Sequence, residues 1–418
     1  RDSHSDPGES RPPFSFSLCV HRRRDKKITN FDKKHIKTKD MIINNLRTEL
    51  IKKVRRVVIK IGSSVLTDSA TNINFNAFAS IVDQIARIKE NGIEPVIVSS
   101  GAIAIGMRKI GLKQRPQSIP LKQAAAAVGQ SGLMENYERF FKEKNLKIGQ
   151  VLLTNLILKE RPLFLNARNT LFALLELGVI PIINENDSVI VDEIKLGDND
   201  NLATITTNLV EADLLIILTD QDGLFEADPQ THKDVRLIPL VKKIDKKIES
   251  LASTRKSAHG VGGMETKIAA AKNATTYGVP VVIANGRFHG VLEAIFQGKD
   301  VGTLFLPQMS KLNSRKHWIA FTLKPRGKIF IDQGAEEAIL KKGKSLLAIG
   351  ITKAEGDFQF GDSVSIFNQH QQEIARGLVN YGSLEIKKIK GAPTKDIERI
   401  LGYKYYDEVI KRDDLVVL

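Results

Sequence analysis

Two lysines of the sequence lie where an ammonium group needs an anionic partner. Lys60 belongs to the apolar run Val57–Ile61 and is followed at once by Gly62-Ser63-Ser64. Burial of an unpaired ammonium is costly, and a phosphate bound by this lysine and by the glycine turn would remove that cost. A lysine that reaches the surface from a strand end explains the fragment equally well. Lys267 follows Gly260–Gly263 in the first turns of a predicted helix, where the helix dipole disfavours a cation unless an anion lies nearby.

The densest polar region of the chain lies between residues 184 and 201. Ten Asn, Asp or Glu side chains fall within these 18 positions, on both sides of a predicted hairpin at residues 189–195. Helix capping could account for Asp198 or Asn199, but it does not account for the whole set. Such a set suits binding of an ammonium group and organisation of lysines around a phosphate.

Three further segments have to be weighed as phosphate sites. Ser99–Gly106 is rich in small residues, which would let a ligand approach the backbone or would serve only close packing. Thr219–Gly223 follows the apolar run Leu214–Leu218. Lys341–Ser345 ends like a phosphate-binding loop, but the required first glycine is Ala338 and no parallel strand precedes it. We therefore predict a helix-terminal turn at this last segment.

Short apolar runs alternate with helical patterns from residue 54 to residue 307, and these elements must position the polar segments. The runs are apolar on both faces, which predicts a mostly parallel sheet covered by helices on both sides. In such sheets ligands bind beyond the carboxyl ends of the strands, where these polar segments lie. The predicted strands are residues 57–61, 95–98, 149–153, 179–183, 214–218 and 279–283. The predicted helices are residues 75–91, 122–144, 162–177, 200–211 and 264–277.

After Pro307 short strands alternate with Gly and Asp turns, which indicates a small β-barrel. Its predicted strands are residues 318–322, 328–331, 363–367 and 373–378, with one helix near 336–341. The fold class is therefore α/β, a mostly parallel open sheet sandwiched by helices, with a small C-terminal β-barrel. The predicted divisions are a disordered basic extension at 1–40, an α/β domain at 50–308, the barrel at 315–403 and a C-terminal segment at 404–418.

The net charge of +15, from 63 Lys and Arg against 48 Asp and Glu, raises the question of nucleic-acid binding. Residues 1–40 hold 11 basic and 6 acidic side chains, so a third of the excess lies in the predicted extension. The only cysteine, Cys19, lies there too. This excludes a disulfide framework, a Cys-ligated zinc site and thiol catalysis in the remainder. We expect no secretory signal and no membrane span, and hence a cytoplasmic protein.

The ordered set of motifs resembles the glutamate 5-kinases, within the amino-acid kinase family. The motifs are Lys60–Ser64, Ser100–Ile103, Ile183–Asp187, Gly197–Asn201, Thr219-Asp220 and Gly262–Met264. The resemblance extends over residues 54–418, and the C-terminal part is similar to the PUA domain that many members carry. It implies the amino-acid kinase fold and ATP-dependent phosphorylation of the γ-carboxylate of L-glutamate, the first step of proline synthesis.

The resemblance also implies site residues, position by position. Ser100, Asp187 and Asn199 would contact glutamate. Lys60 and Lys267 would bind the phosphates and Asp200 would orient them, so these three are the catalytic candidates. At position 261 the family pattern leads us to expect a small polar residue, but this chain has Val261. A contact of this residue with ATP would therefore use its backbone N–H rather than its side chain. The implied ATP contacts are Lys60, Thr219, Asp220, Val261, Gly262, Gly263, Met264, Glu265, Thr266 and Lys267.

The chemistry of the implied reaction agrees with these residue types. A glutamate side chain, with a pKa of about 4.3, is ionised at pH 7, so no general base is needed. Positioning and cationic stabilisation are then the expected means of catalysis. The eight histidines form no ligand-spaced pair. We therefore expect no protein-held metal, and Mg²⁺ would be carried by the nucleotide.

Two alternatives stay open at this point. A related kinase for acetylglutamate, aspartate, carbamate or a nucleotide would share the sheet and the lysines. An RNA-binding protein is an answer of a different class, because PUA domains commonly bind RNA. Residues 311–418 carry 19 basic against 14 acidic side chains, a modest excess for that role. We also expect a homo-oligomer, and we leave open whether proline acts as a feedback inhibitor.

Overall fold

The computed structural model describes residues 43–68, 73–154, 161–189, 199–229, 231–232, 234–253, 263–307, 309 and 324–418. The predicted extension at 1–40, Val261, Gly262, the predicted strand at 318–322 and nearly all of the predicted hairpin lie outside these residues.

An eight-stranded sheet forms the larger part of the structure. Its strand order is β3-β4-β2-β1-β5-β7-β8-β6, and every neighbouring pair is parallel except β7 with β8. The mostly parallel sheet predicted from the apolar runs is thus confirmed. Two short strands at its edge, β6 and β8, were not predicted. The strands are β1 (Arg56–Ile61), β2 (Glu94–Ser99), β3 (Ile148–Leu153), β4 (Ile180–Glu185), β5 (Leu214–Thr219), β6 (Leu240–Val241), β7 (Val281–Asn285) and β8 (Thr303–Phe305).

Helices cover both faces of the sheet, and each face has its own hydrophobic core. Successive side chains of a strand point to opposite faces. Ile59 and Ile61 of β1 accordingly pack in one core, while Val58 packs in the other. Lys60 therefore points to the face of Val58. The helices are α1 (residues 43–51), α2 (Ser63–Leu66), α3 (Phe75–Glu90), α4 (Ala102–Lys109), α5 (Ile119–Lys142), α6 (Arg161–Glu176), α7 (Asn199–Leu209), α8 (Lys246–Ser253), α9 (Met264–Thr276) and α10 (Val291–Phe296).

The face that receives Lys60 is the one covered by α7 and α9. Leu202 of α7 and Ile268 of α9 lie in the same core as Val58. The residues at the beginnings of these two helices are thereby placed beside the end of β1. Strand alternation and helix position together bring the predicted lysines to one point.

The carboxyl ends of the central strands are aligned. Ile61 of β1 pairs with Ser99 of β2 on one side and with Leu218 of β5 on the other. The Gly62 N–H donates to the Leu218 carbonyl oxygen at 3.0 Å. The loops that follow three strands therefore begin side by side, as parallel strands require.

Helices α4 and α5 approach each other backbone to backbone. A Cβ atom added at Gly106 would lie 1.7 Å from the Ala125 carbonyl oxygen, and one added at Gly129 would lie 1.7 Å from that of Ala102. Close packing is therefore one reason for the small residues after β2. The contact also fixes where the neighbouring residues of α5 lie relative to the strand ends.

Changing Gly129 to alanine is expected to lower the free energy of unfolding by at least about 2 kcal/mol, because the added methyl group has no space between the two helices. Urea unfolding of both proteins measures the difference. Gly334→Ala is the matched control, since this exposed helical glycine has no atom closer than 3.4 Å to an added Cβ. Equal stability losses in the two variants would contradict the packing argument.

A second sheet lies in the C-terminal part, with order β10-β9-β11-β12-β13. Its core includes Phe358, which is buried. Residues 404–418 were predicted to form a separate C-terminal segment. In the structure they contribute Val409, Ile410 and Leu415 to this core and β13 to the sheet. The elements are β9 (Gly327–Ile331), α11 (Gln333–Leu340), β10 (Ile351–Gly356), β11 (Ser363–Phe367), β12 (Glu373–Leu378), α12 (Ser383–Ile389), α13 (Ile397–Leu401) and β13 (Leu415–Val417).

The segment that resembles a phosphate-binding loop is the end of a helix. α11 ends at Leu340, and Gly343 has a φ of 58°, which is typical of a turn after a helix. Among the described residues, no helix combines the length and the apolar character that crossing a membrane requires.

Candidate active site

Lys60, Asp200 and Lys267 form a buried cluster of three charges at the carboxyl end of β1. Lys60 Nζ lies 2.5 Å from Asp200 Oδ1, and Lys267 Nζ lies 3.3 Å from Asp200 Oδ2. The lysine side chains are 5% and 7% exposed, and the Asp200 side chain has no exposed surface. One carboxylate thus binds two ammonium groups, and the cluster keeps a net charge of +1.

The two lysines determine the protonation state of Asp200. Burial raises its pKa, but the charges of Lys60 and Lys267 and the hydrogen bonds from Lys60 and Thr266 outweigh burial and lower the pKa to about 2. Asp200 also lies in the first turn of α7, where the helix dipole favours an anion. The carboxylate is therefore ionised throughout the neutral range.

Thr266 connects this cluster to the beginning of α9. Its hydroxyl lies 2.9 Å from both Asp200 Oδ2 and the Gly263 carbonyl oxygen, and it can donate its one hydrogen to either. Lys267 Nζ also lies 3.3 Å from the Gly263 oxygen. The end of the glycine-rich segment is thus fixed to the residue that binds both lysines.

Asn199, next to Asp200 in the chain, reaches across to the end of β2. Its Nδ2 group lies within donating distance of the Ser99 carbonyl oxygen at 3.2 Å, Ser100 Oγ at 2.8 Å and Asn184 Oδ1 at 3.0 Å. Two of the predicted glutamate contacts, Ser100 and Asn199, are thereby in direct contact. They lie one residue away from the charged cluster.

Asn184 and Gln130 extend this hydrogen-bonded network. Asn184 accepts at Oδ1 from the Glu185 N–H at 2.9 Å and donates through Nδ2 to Gln130 Oε1 at 2.8 Å. Below the network, Ser99 Oγ and the Tyr137 hydroxyl lie 2.8 Å apart in the core. Burial raises the pKa of Tyr137, so this hydroxyl is neutral and serves as a structural support.

Asp187 lies in the turn after β4. Burial raises its pKa, while the positive charge of Arg115 opposes that effect. The pKa is raised overall, so Arg115 offsets only part of the effect of burial on this half-buried carboxylate. Within the described residues, no hydrogen bond or ion pair joins Asp187 to Asn199 or to Ser100.

The predicted ATP contacts occupy two places. Thr219 ends β5, where its hydroxyl donates to Asp220 Oδ1 at 3.1 Å, and the exposed Asp220 faces solvent. At the beginning of α9, Glu265 is exposed, whereas Met264 is 2% exposed and packs in the core. A contact of Met264 with nucleotide would therefore use its backbone. Val261 and Gly262 lie outside the described residues.

Sequence reasoning missed Gln130, Tyr137 and Arg115, and it did not select Asn184 from its motif. The available signal for Gln130 was a pair of glycines, Gly129 and Gly132, inside a long helical pattern. Glycine in a helix interior often marks a close approach of another backbone.

Within the described residues, no group of three His, Cys, Asp or Glu side chains could hold a metal ion. Both oxygens of Asp200 are already occupied by lysines and Thr266. The described residues therefore do not form a metal centre of their own.

Comparison with known proteins places this geometry in a family. The model of the amino acid kinase family matches residues 55–285, and that of the PUA domain matches residues 327–401. The chain belongs to the amino acid kinase family.

The relatives found among curated proteins are more specific. The glutamate 5-kinase of Geobacter sulfurreducens is 52% identical over 373 residues, which cover 89% of this chain and 100% of the relative. The glutamate 5-kinase of Thermoanaerobacter sp. is 50% identical over 363 residues, 87% of this chain and 98% of the relative. A solved structure of T. acidophilum isopentenyl phosphate kinase matches 60% of this chain and 99% of its own, with 20% identity and a TM-score of 0.40.

Proposed function

We propose that this chain is an ATP-dependent kinase that phosphorylates the γ-carboxylate of L-glutamate to give glutamyl 5-phosphate, the first step of proline biosynthesis. Relatives that are about half identical over most of the chain support this substrate. The observation that carries the chemistry is the Lys60–Asp200–Lys267 cluster, a buried net positive charge at the ends of parallel strands.

In the proposed reaction, an oxygen of the ionised γ-carboxylate attacks the γ-phosphorus of ATP. The bond between that phosphorus and the bridging oxygen breaks, and ADP leaves with the electron pair. No proton has to move, so the site needs positioning and positive charge rather than a base. Lys60 and Lys267 are suited to stabilise charge on the transferred group, and Asp200 to hold them in place.

The cluster is suited to this role because its own side chains hold the two ammonium groups in place. Preorganised charges stabilise a transition state without the cost of reorganisation during the reaction. Asp200 pairs with both ammonium groups, and Lys267, which also lies 3.3 Å from the Gly263 carbonyl oxygen, links the carboxylate to the beginning of α9. The positive ends of α7 and α9 add to the same field.

For the substrates, Ser100, Asp187 and Asn199 are the proposed glutamate contacts. The proposed ATP contacts are Lys60, Thr219, Asp220 and residues 261–267. Since the described residues do not form a metal centre, we propose that Mg²⁺ comes with the nucleotide phosphates. Assembly as a homo-oligomer, inhibition by proline and RNA binding through the C-terminal domain stay predictions.

The proposal is tested by an assay for acyl phosphate formation that depends on both ATP and glutamate. Hydroxylamine converts the acyl phosphate to a coloured hydroxamate, and ADP release gives a second readout. Acetylglutamate and aspartate serve as alternative acceptors. Faster turnover with either of them than with glutamate would overturn the substrate assignment while leaving the kinase chemistry intact.

Changing Asp187 to alanine is expected to raise the KM for glutamate by about 10- to 100-fold, because a carboxylate that pairs with the substrate ammonium is lost. The KM for ATP should stay within about threefold, since the predicted nucleotide contacts are elsewhere. Initial rates over a range of both substrates measure the two values. An unchanged KM for glutamate would remove Asp187 from the substrate site.

A further inference from the structure

We propose that Gln130 is a specificity residue of this site: its Nε2 group donates to the α-carboxylate of bound glutamate, while Asn199 Oδ1 accepts from the α-ammonium. The proposal rests on the proposed function, because it takes glutamate as the acceptor substrate. It adds a residue of α5 that the sequence analysis did not select, and it assigns a role to the amide oxygen of Asn199.

The orientation of the Gln130 amide follows from its neighbours. The Glu185 backbone N–H can only donate, so the atom of Asn184 that faces it at 2.9 Å must be the oxygen. The Asn184 nitrogen then points at Gln130 and donates at 2.8 Å, which requires an acceptor there. Gln130 therefore presents Oε1 to Asn184, and its Nε2 group is left for another partner.

The Asn199 amide is oriented by the same kind of argument. Its nitrogen lies 3.2 Å from the Ser99 carbonyl oxygen, which can only accept. It also lies 3.0 Å from Asn184 Oδ1, which is already fixed as an acceptor, and 2.8 Å from Ser100 Oγ, a hydroxyl that can accept. Asn199 Oδ1 therefore points away from this network.

The two remaining atoms, Gln130 Nε2 and Asn199 Oδ1, are buried. They have essentially no exposed surface, and neither has a hydrogen-bond partner among the residues that the structure describes. Buried amide groups are nearly always paired in native proteins, so unpaired ones at a candidate substrate site point to a missing ligand. One is a donor and the other an acceptor, and each belongs to a residue hydrogen-bonded to Asn184.

This pair of atoms matches the α-carbon end of an amino acid. A carboxylate accepts from the Gln130 amide, and the adjacent ammonium donates to Asn199. The opposite end of the substrate, the γ-carboxylate, must lie at Lys60 and Lys267 for phosphoryl transfer. Asn199 and Asp200 are consecutive in α7, so one turn of helix faces both ends of a molecule as short as glutamate.

Gln130→Glu isolates the proposed contact. A glutamate at this position keeps an oxygen for the hydrogen bond from Asn184 and keeps the shape of the side chain, but it replaces the free donor with an acceptor. The KM for glutamate is expected to rise about 10- to 100-fold with kcat changed by less than about threefold. Gln333→Glu, an exposed position in the C-terminal domain, controls for the added charge.

The decisive readout uses isoglutamine, in which the α-carboxylate of glutamate is an amide and the γ-carboxylate is intact. Wild-type protein should prefer glutamate in kcat/KM, and the preference should fall at least about tenfold in Gln130→Glu, whose carboxylate can accept from the amide. Gln130→Met, which neither donates nor accepts strongly, should also lose preference and covers the case in which Gln130→Glu does not fold.

Each outcome bears on the proposal. A KM for glutamate that stays within threefold in Gln130→Glu overturns it. A raised KM with an unchanged preference between glutamate and isoglutamine overturns it as well, because Gln130 would then act only through Asn184. A wild-type protein without glutamate-dependent turnover would instead refute the proposed function, which the same assay reveals before any variant is compared.

Discussion

Lys267→Ala is expected to lower kcat by about 10³-fold while the KM for glutamate changes by less than about threefold. The Lys267 ammonium is 3.3 Å from Asp200, which also pairs with Lys60 of β1. Charge develops on the transferred phosphoryl group during the reaction, so the lost interaction is one made mainly in the transition state. Such a loss reduces kcat rather than ground-state binding.

Lys272→Ala provides the matched control for this change. Lys272 lies one and a half turns further along α9, is 55% exposed and pairs with Glu249 at the surface. Both variants replace a lysine of the same helix with the best helix former, so helix stability is affected alike. Steady-state rates and thermal unfolding are measured for each. Equal rates of Lys267→Ala and Lys272→Ala would remove Lys267 from the catalytic residues.

The charged cluster could be predicted from the sequence because its parts obey local rules. Strand alternation places Lys60 on one face of β1, and the motif order supplies Asp200 and Lys267. The helix dipole favours Asp200 in the first turn of α7 but disfavours Lys267 near the beginning of α9. The position of Lys267 is explained because the two helices bring it next to Asp200. The resemblance to a known family gave the roles that these rules alone leave open.

Other features could not be predicted, because they depend on contacts between distant segments. The antiparallel pairing of β7 with β8 involves a strand of only three residues, which has little pattern of its own. Gln130 reaches the site only because α4 and α5 pack through Gly106 and Gly129. Nothing in the local sequence of α5 specifies that one of its amides will lie beside Asn184.

Asp200→Asn is expected to affect both stability and turnover, and thus to have a larger effect than Lys267→Ala. The change keeps the shape of the side chain but takes from two nearly buried ammonium groups the carboxylate that pairs with both of them. Removing one partner of a buried ion pair costs about 3 to 5 kcal/mol of the free energy of unfolding. We expect kcat to fall by at least about 10³-fold as well, because neither lysine is then held in place.

Although Asp200→Asn is expected to lower stability and kcat, it should not weaken the binding of ATP. In Asp200→Asn the three side chains of the cluster carry a net charge of +2 instead of +1, and this added positive charge favours the phosphates of ATP. We therefore expect the KM for ATP to stay equal or to fall, and ATP to raise the melting temperature of the variant more than that of the wild type. Weaker ATP binding in the variant would contradict the assignment of this cluster to phosphates.

The stability difference between the wild type and Asp200→Asn should also depend on pH in a defined window. The folded-state pKa of Asp200, about 2, lies below its ordinary value of 3.8. Its ionised form therefore contributes stability fully above pH 3.8, about 2 kcal/mol by this shift, and loses it as the pH falls towards 2. Urea unfolding at several pH values between 3 and 7 measures the difference.

Asp83→Asn is the control for this pH dependence. Asp83 also pairs with two cations, Arg87 and Lys144, but its side chain is 33% exposed, so screening by water makes its contribution small. At pH 7 the difference in free energy of unfolding from the wild type should be several times smaller for Asp83→Asn than for Asp200→Asn. On acidification, only the difference for Asp200→Asn should become clearly smaller. A gap for Asp200→Asn that stays constant from pH 7 to pH 3 would mean that the carboxylate charge does not hold the two lysines.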